Sequence, residues 1–351
     1  MGPGPGPRAR ARPFYNPAMA LDRDLGVAFA RALPRPLGDG WEATASTGVR
    51  GLRLVHESPA FRSFLFTEAD ERSFQVLREN LAGDPQVTAL QRDGTVPPPG
   101  APFDYVDVDP YGSPLAFLGG ALAATRTGGV LAITATDMPV LAGAQPAACR
   151  RRYGARPVRG RLGPEGALRI LLMVIAREAR RSGRAARPLL AYVGGHHVRA
   201  YVELRPGTEP ADPVGVIEPG RWDGPALGTP EAVGPLWLGP VVDRTIAGRL
   251  VVPATAACPR EAARFLELLR EDAEPLPPFY YEANTLAADL ALPSPPSLTD
   301  LLGALRAAGH RAGRTHVRPE GLRTDASRRE VETVVRSLSD RRQSQKARVR
   351  A

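Results

Sequence analysis

Phe103-Asp104-Tyr105-Val106-Asp107-Val108-Asp109-Pro110-Tyr111-Gly112-Ser113-Pro114 decides how this chain folds. Its first half mixes acidic residues with buried-type aromatic and β-branched ones, as a strand inside a sheet does. Asp109-Pro110 then stops the strand, because proline fixes φ and offers no amide hydrogen. A helix-like run over 115–124 follows at once. Strand, acidic turn and helix together make one strand–helix unit.

The same unit recurs on both sides. Periodicity predicts helices over 18–32, 48–56 and 71–81 and strands over 40–43, 63–68 (ending at Glu68), 87–90 (ending near Asp93) and 130–134. A long helix over 166–181 presents Leu168, Leu171, Leu172 and Ile175 on one face, with Gly183 to end it. Strands over 189–193 and 198–204 flank Gly194-Gly195-His196-His197, a hairpin turn. Strands alternating with helices predict a mostly parallel sheet covered on both faces, here closed by an antiparallel hairpin. This is the layout of the class I, Rossmann-like methyltransferase fold. In such α/β sheets ligands sit beyond the carboxyl ends of the strands.

The second half reads differently. Residues 205–240 are rich in Gly and Pro and read as a linker with little regular structure. Helices are expected over 260–270, 283–291 and 298–308, and a strand or loop over 313–318. The expected organisation is a disordered lead over 1–13, the sheet domain over 14–207, a smaller C-terminal α+β domain over 208–338 and a basic tail over 339–351.

Composition narrows the partners. With 46 basic and 37 acidic residues among 351, the net charge of +9 favours a polyanion. Residues 150–187 hold twelve arginines against Glu165 and Glu178, and the last ten residues before Ala351 add five basic side chains. No apolar run reaches the ~20 residues of a membrane-spanning helix. Two cysteines, Cys149 and Cys258, have neither disulfide nor metal spacing, which fits a reducing, cytoplasmic setting and no bound metal.

Acids fall at successive strand ends: Glu68, Asp93 before Gly94, and Asp109. Thr47-Gly48-Val49-Arg50-Gly51 follows the first strand, and small residues there let backbone approach a ligand at a helix start. The Asp109-Pro110-Tyr111 turn suits chemistry on an exocyclic base amine. Such a nitrogen is a poor nucleophile because its lone pair is delocalised. An acceptor aimed at its N–H bonds prepares it for attack, and an aromatic ring can stack on the base. The turn alone leaves open which base amine is used. Adjacent His196 and His197 lack a third ligand nearby in sequence, so a turn role near substrate is expected rather than a zinc site.

Longer stretches narrow this. Phe14-Tyr15-Asn16-Pro17-Ala18-Met19-Ala20-Leu21-Asp22-Arg23-Asp24, Ala45-Ser46-Thr47-Gly48-Val49-Arg50-Gly51, the Asp109 turn and Thr134-Ala135-Thr136-Asp137 resemble, in order, the tRNA (guanine-26-N2)-dimethyltransferase family of archaeal type. So do Ala147-Ala148-Cys149-Arg150-Arg151-Arg152-Tyr153-Gly154-Ala155, Gly234-Pro235-Leu236-Trp237, Pro278-Phe279-Tyr280-Tyr281 and Arg314-Thr315-His316.

The resemblance implies methyl transfer from S-adenosylmethionine to the exocyclic N2 of a guanine in tRNA. It implies that Arg23 and Arg50 approach the methionine carboxylate, with Thr47 and Gly48 in the loop, Glu68 on the ribose, and Asp93 and Gly94 on the adenine side. Asp109, Pro110 and Tyr111 would hold the base, with Asp24 and Asn16 shaping the pocket. Arg150, Arg151, Arg152, His196, His197, Arg314 and His316 would face tRNA. Asp22 stands where the family usually has Asn, and Glu42 and Glu68 where it usually has Asp. The alternatives are a methyltransferase of another exocyclic amine in RNA and a tRNA-binding protein whose catalytic site has decayed.

Overall fold

The computed structural model describes residues 15–207 and 213–350, with side chains to residue 341. The expected lead and Phe14 lie outside the described residues. In chain order the first elements are α1 (Ala20–Ala32), β1 (Gly38–Glu42), α2 (Val49–Glu57), β2 (Phe61–Glu68), α3 (Glu71–Asn80), β3 (Val87–Gln91), β4 (Phe103–Val108), α4 (Leu115–Ala124) and β5 (Thr125–Ala135). Then come α5 (Met138–Leu141), α6 (Pro146–Tyr153), α7 (Gly163–Arg181), β6 (Arg184–Gly194), β7 (His197–Pro206), β8 (Val214–Ile217) and β9 (Val233–Trp237). The chain continues through α8 (Arg244–Arg249), α9 (Pro259–Asp272), β10 (Tyr281–Glu282), α10 (Ala283–Asp289), α11 (Leu298–Ala307), β11 (Ala312–Arg314), β12 (Gly321–Thr324) and α12 (Arg328–Arg350).

Seven strands form one sheet in the order β3-β2-β1-β4-β5-β7-β6. The first five are parallel, and β7 joins β5 antiparallel. The order reverses between β1 and β4, so the crevice beyond their carboxyl ends is the topological switch point. β4 is buried along nearly its whole length, as a central strand covered on both faces should be. Edge strand β3 is only half-buried. Trp41, Phe64, Phe66, Tyr105 and Tyr201 fill the core around the sheet. The buried Trp41 indole donates to Thr67 Oγ1 at 3.0 Å. Asp70 caps α3 by accepting from the Ser73 amide.

The chain forms two compact units, and each is assembled from three stretches. The sheet unit comprises Met1–Asp137, Val174–Asp212 and Thr245–Leu266; the second comprises Met138–Met173, Pro213–Arg244 and Glu267–Ala351. The sequence reading expected two consecutive segments. The difference has a visible cause in the sheet unit, where residues 255–258 are bonded to α1 and α2: Asp24 accepts from the Ala257 and Cys258 amides, and Thr255 meets Glu57.

One further expectation is corrected. The 205–240 stretch contains β8 and β9, which pair Val214 with Trp237 and Ile217 with Val233. Its Gly and Pro residues concentrate in the turns, while Ile217, Val233 and Leu236 are buried. The basic tail is the end of helix α12. The second unit also holds a core of Leu301, Leu305, Leu322, Val331 and Val335 beneath the sheet β10-β12-β11.

Candidate active site

Asp109 follows β4 at the switch point, and its amide donates to Thr44 Oγ1 just beyond β1. The next turn is fixed to the end of β5: the Gly112 amide donates to Thr136 Oγ1 at 2.6 Å, and the Thr136 amide returns to the Gly112 carbonyl at 3.0 Å. Gly112 takes φ +85°, which lets the chain reverse there. Pro110 is buried, while Tyr111 is 71% exposed. The turn therefore offers a carboxylate and an aromatic ring at the carboxyl edge of the sheet.

Arg50, in the first turn of α2, ties this carboxylate to a buried network. Its Nη2 lies 2.6 Å from Asp109 Oδ2 and 2.7 Å from Asp22 Oδ2. Asp22 Oδ1 in turn accepts from the Tyr192 hydroxyl and meets His197 Nε2 at 3.0 Å. Burial alone would raise the Asp22 carboxyl, but the Arg50 guanidinium and the bond from His197 hold it well below the usual range. Arg50 Nη1 is buried and has no hydrogen-bond partner.

A second buried group lies one layer down. Arg199 Nη2 pairs with Asp107 at 2.6 Å, and the Tyr105 hydroxyl donates to the same oxygen at 2.7 Å. Glu42 stands across from Asp107 in the β1–β4 register. Burial, and then the Asp107 charge, push the Glu42 carboxyl up to about 8. Glu42 Oε2 accepts from the Gly51 amide at 3.0 Å, at the start of α2.

The loop before α2 is shaped by glycine and by Glu68. Gly48 takes φ +73°, and a Cβ there would meet Leu77 at 2.6 Å. Thr47 presents its carbonyl to Asn80 Nδ2 at 2.9 Å. Glu68, at the end of β2, accepts from the amides of Ser46 at 2.9 Å and Asp70 at 2.8 Å. Asp93 is exposed and accepts from the Thr95 amide at 2.8 Å. A Cβ on Gly94 would fall 1.9 Å from the Ala43 carbonyl oxygen, so only glycine fits there. Arg50, Asp109, the Gly48 loop, Glu68, Asp93 and Gly94 all follow strand ends in the sheet unit.

Other expected residues sit elsewhere. Asn16 accepts from the Ala18 amide and caps a 3-10 turn over Pro17–Met19, and its carbonyl accepts from Arg23 Nη1. Arg23 also reaches the Tyr15 hydroxyl at 3.2 Å. The resemblance implied that Asp24 shapes the pocket. Asp24 is fully buried, ion-paired to Arg53 at 2.7 Å, and filled by the 257 and 258 amides, so it fastens chain to chain.

His196 is exposed in the two-residue turn between β6 and β7, whereas His197 is buried against Asp22. His197 thus supports the site from beneath rather than from the surface.

Arg150, Arg151 and Arg152 are exposed on helix α6, and Gly154 ends that helix with φ +71°. The twelve-arginine stretch is not uniformly surface, because Arg169 is buried and bonded to Glu165 and to the Trp237 and Gly239 carbonyls. His316 is also corrected. Its ring is sequestered against Asp272, beside Arg323 and Thr315, and cannot meet RNA from there. Arg314 is half-buried and paired to Glu267 and Glu271.

Sequence reasoning missed Thr44, Tyr192 and the central place of Asp22. Thr44 carried a signal, as a hydroxyl directly after the first strand. Tyr192 carried none, since only the hairpin register brings it to α1. Among the described residues, no three His, Cys, Asp or Glu side chains cluster as a metal site would. Among the described residues, no helix is long and apolar enough to cross a membrane.

The family model for N2,N2-dimethylguanosine tRNA methyltransferase matches residues 8–216 and 226–336, leaving 217–225 unmatched. A tRNA (guanine(26)-N(2))-dimethyltransferase of Thermococcus kodakarensis is 35% identical over 89% of this chain and 90% of its own length. One from Pyrobaculum calidifontis is 33% identical over 93% and 92%. The solved structure of Trm1 from Pyrococcus horikoshii in complex with S-adenosyl-L-methionine superposes with a TM-score of 0.81 at 30% identity, covering 92% of this chain and 94% of that one. Matched in sequence across both units and in structure along most of its length, this chain belongs to the N2,N2-dimethylguanosine tRNA methyltransferase family.

Proposed function

We propose that this chain is the S-adenosylmethionine-dependent enzyme that methylates the exocyclic N2 of guanine-26 in tRNA, to N2,N2-dimethylguanosine, with Asp109 as the acceptor that activates the amine. The observation that carries the reading is the placement of Asp109. It stands at the switch point on a turn fastened to Thr44 and Thr136, with one oxygen held by Arg50 and with Tyr111 exposed two residues on.

The residues present fit the cofactor. Arg50 Nη1 is a buried donor without a partner, suited to a carboxylate. The Gly48 loop and the Gly94 approach to Ala43 leave backbone where side chains would otherwise intrude. Glu68 closes β2, where an acid can accept from ribose hydroxyls, and Asp93 follows β3 on the adenine side. When bound, S-adenosylmethionine supplies a methyl group on a positively charged sulfur, and the protein supplies position and polarisation.

Asp109 Oδ2 is engaged by Arg50, and the carboxylate accepts from the guanine N2–H, localising the nitrogen lone pair. As the new N–C bond forms and the methyl–sulfur bond breaks, with S-adenosylhomocysteine leaving, the same carboxylate would take the proton that the nitrogen sheds. Pro110 fixes the turn, so the acceptor does not move away as charge develops. Tyr111 offers a face for the base, which must leave its stack to present N2. The exposure of Arg150, Arg151 and Arg152 on α6 supports a role in contacting phosphates.

Labelled cofactor and tRNA transcripts with single guanine substitutions test this reading. Label should enter wild-type transcript as N2,N2-dimethylguanosine and vanish when guanine-26 is replaced. Label retained in that variant overturns the assignment.

A further inference from the structure

Three buried polar atoms around Asp22 lack a hydrogen-bond partner among the described residues: Asp22 Oδ2, Arg50 Nη1 and His197 Nδ1. Asp22 Oδ2 touches Arg50 Nη2 at 2.7 Å, but the hydrogen bond from that nitrogen goes to Asp109 Oδ2 at 2.6 Å. An arginine beside a carboxylate can close two parallel bonds, the strong arrangement of that pair. Arg50 and Asp22 are both buried and in contact, yet they do not close that fork. The Asp22 carboxylate is held out of it from its other side.

Its Oδ1 accepts from the Tyr192 hydroxyl and meets His197 Nε2 at 3.0 Å. Burial works against the Asp22 charge, but Arg50 and the His197 bond outweigh it and keep the group ionised. An ionised carboxylate only accepts, so His197 Nε2 is the donor. Both donors stand on strands, Tyr192 on β6 and His197 on β7, while Asp22 rides on α1. Their rings are fixed in place. Tyr192 packs edge-on against Phe265 and His197, at ring separations of 5.7 and 6.3 Å. His197 pairs in register with Gly194, where a Cβ would fall 2.5 Å from the imidazole Cε1, so glycine makes room for the ring. The carboxylate cannot turn onto Arg50 without giving up two bonds.

We propose that His197 and Tyr192 are positioning residues for methyl transfer: by pinning Asp22 Oδ1 they keep Asp22 from closing a fork on Arg50, and so leave Arg50 Nη2 aligned on Asp109. The effect on the reaction rests on the methyltransferase reading above, while the arrangement of Arg50 does not. Neither residue touches the acceptor. Each acts through Asp22 and then Arg50, and a supporting group of this kind holds a reacting side chain within the small tolerance that transfer demands.

The full chain carrying His197→Leu, His197→Gln or Tyr192→Phe tests it, by crystal structures and by single-turnover methylation of tRNA. In His197→Leu both terminal nitrogens of Arg50 should lie on Asp22, and the hydrogen bond to Asp109 should open. The methylation rate should fall about ten-fold or more, as small misplacements of a reacting group cause, with tRNA affinity unchanged. His197→Gln keeps a donor nitrogen and should recover most of that loss. Asp22→Asn keeps an oxygen without the charge that draws Arg50. In that background His197→Leu should add less than about two-fold, the non-additivity expected of residues that act through one partner. Tyr192→Phe removes only a hydroxyl and should give the same change in smaller measure, so it carries the test if His197→Leu does not fold. Arg50 still bonded to Asp109 in His197→Leu and Tyr192→Phe overturns the proposal. So does an equal loss from His197→Leu with and without Asp22→Asn, or a loss in His197→Gln as large as in His197→Leu. A wild-type chain that transfers no methyl group to tRNA overturns the methyltransferase reading, and the structures still decide the arrangement of Arg50.

Discussion

Arg50 and Asp109 meet through one guanidinium nitrogen, Nη2 to Oδ2 at 2.6 Å, while Nη1 of the same side chain is buried without a partner. One arginine thus holds the carboxylate proposed as acceptor and keeps a buried donor for the carboxylate proposed to come from the cofactor. Burial and the neighbouring Arg199 would lower the Arg50 proton affinity, but Asp22, Asp109 and Asp107 outweigh them and keep it firmly charged.

Asp109→Ala should lower kcat on the order of a hundred-fold or more, as loss of a positioned transition-state partner does. Cofactor affinity should change little, because Arg50 keeps Asp22. Asp109→Asn keeps an acceptor oxygen without the charge and should fall between. Single-turnover methylation with saturating cofactor reads this out, and near-wild-type rates for Asp109→Ala would falsify the mechanism.

Glu68→Ala should weaken S-adenosylmethionine binding roughly ten- to a hundred-fold, equivalent to about 1.5–3 kcal/mol for a hydrogen bond to a charged group. Glu68 also orders the Ser46 amide, so calorimetry should be paired with Glu68→Gln, which keeps acceptor oxygen for the loop. Equal affinity in all three proteins removes Glu68 from the ribose role.

Replacing Arg150, Arg151 and Arg152 with Gln should weaken tRNA binding and flatten its dependence on salt, by roughly 0.7–0.9 log units per lost phosphate contact. The side chains are exposed on α6, so melting should not move. The measurement is tRNA affinity across a salt series. An unchanged slope means the phosphates lie elsewhere.

Glu42 gives a pH signature. Its carboxyl is raised from 4.5 to about 8 by burial and by Asp107, so between these values the folded protein holds a proton that the unfolded chain releases. Stability from this group is full below the lower value and is lost as pH rises toward the upper one. Denaturant melts at pH 5 and pH 8 should show that decline. Glu42→Gln, which preserves the acceptor for Gly51, should reduce it and should gain most at the higher pH.

Asp272→Ala should destabilise the second unit by about 3–5 kcal/mol, because it strands the buried charge of Arg323 and removes the partner of the buried His316 ring. Chemical denaturation followed in the isolated variant reads this. A small loss with weakened tRNA binding would instead return His316 to the RNA surface.

The sequence by itself determined the strands and helices around the sheet and the line of strand ends. Strand β4, helix α4 and the Asp109 turn lie where their residues predict, because a buried parallel strand and its proline stop are local patterns of side chain and φ. Glu68, Asp93 and Gly48 were legible for the same reason.

Tertiary structure alone decided which charges meet. Asp22 and His197 are 175 residues apart, and Asp24 meets the Cys258 amide across 234 residues. No periodicity encodes such pairs. The neighbouring acids of α1 went opposite ways because successive helix positions point about 100° apart. Asp22 turned to Arg50 and the site, and Asp24 turned to Arg53 and the 255–258 stretch. His316 likewise reads as a surface histidine in sequence, and only the packing of Asp272 and Arg323 around it makes it a buried hydrogen-bond partner.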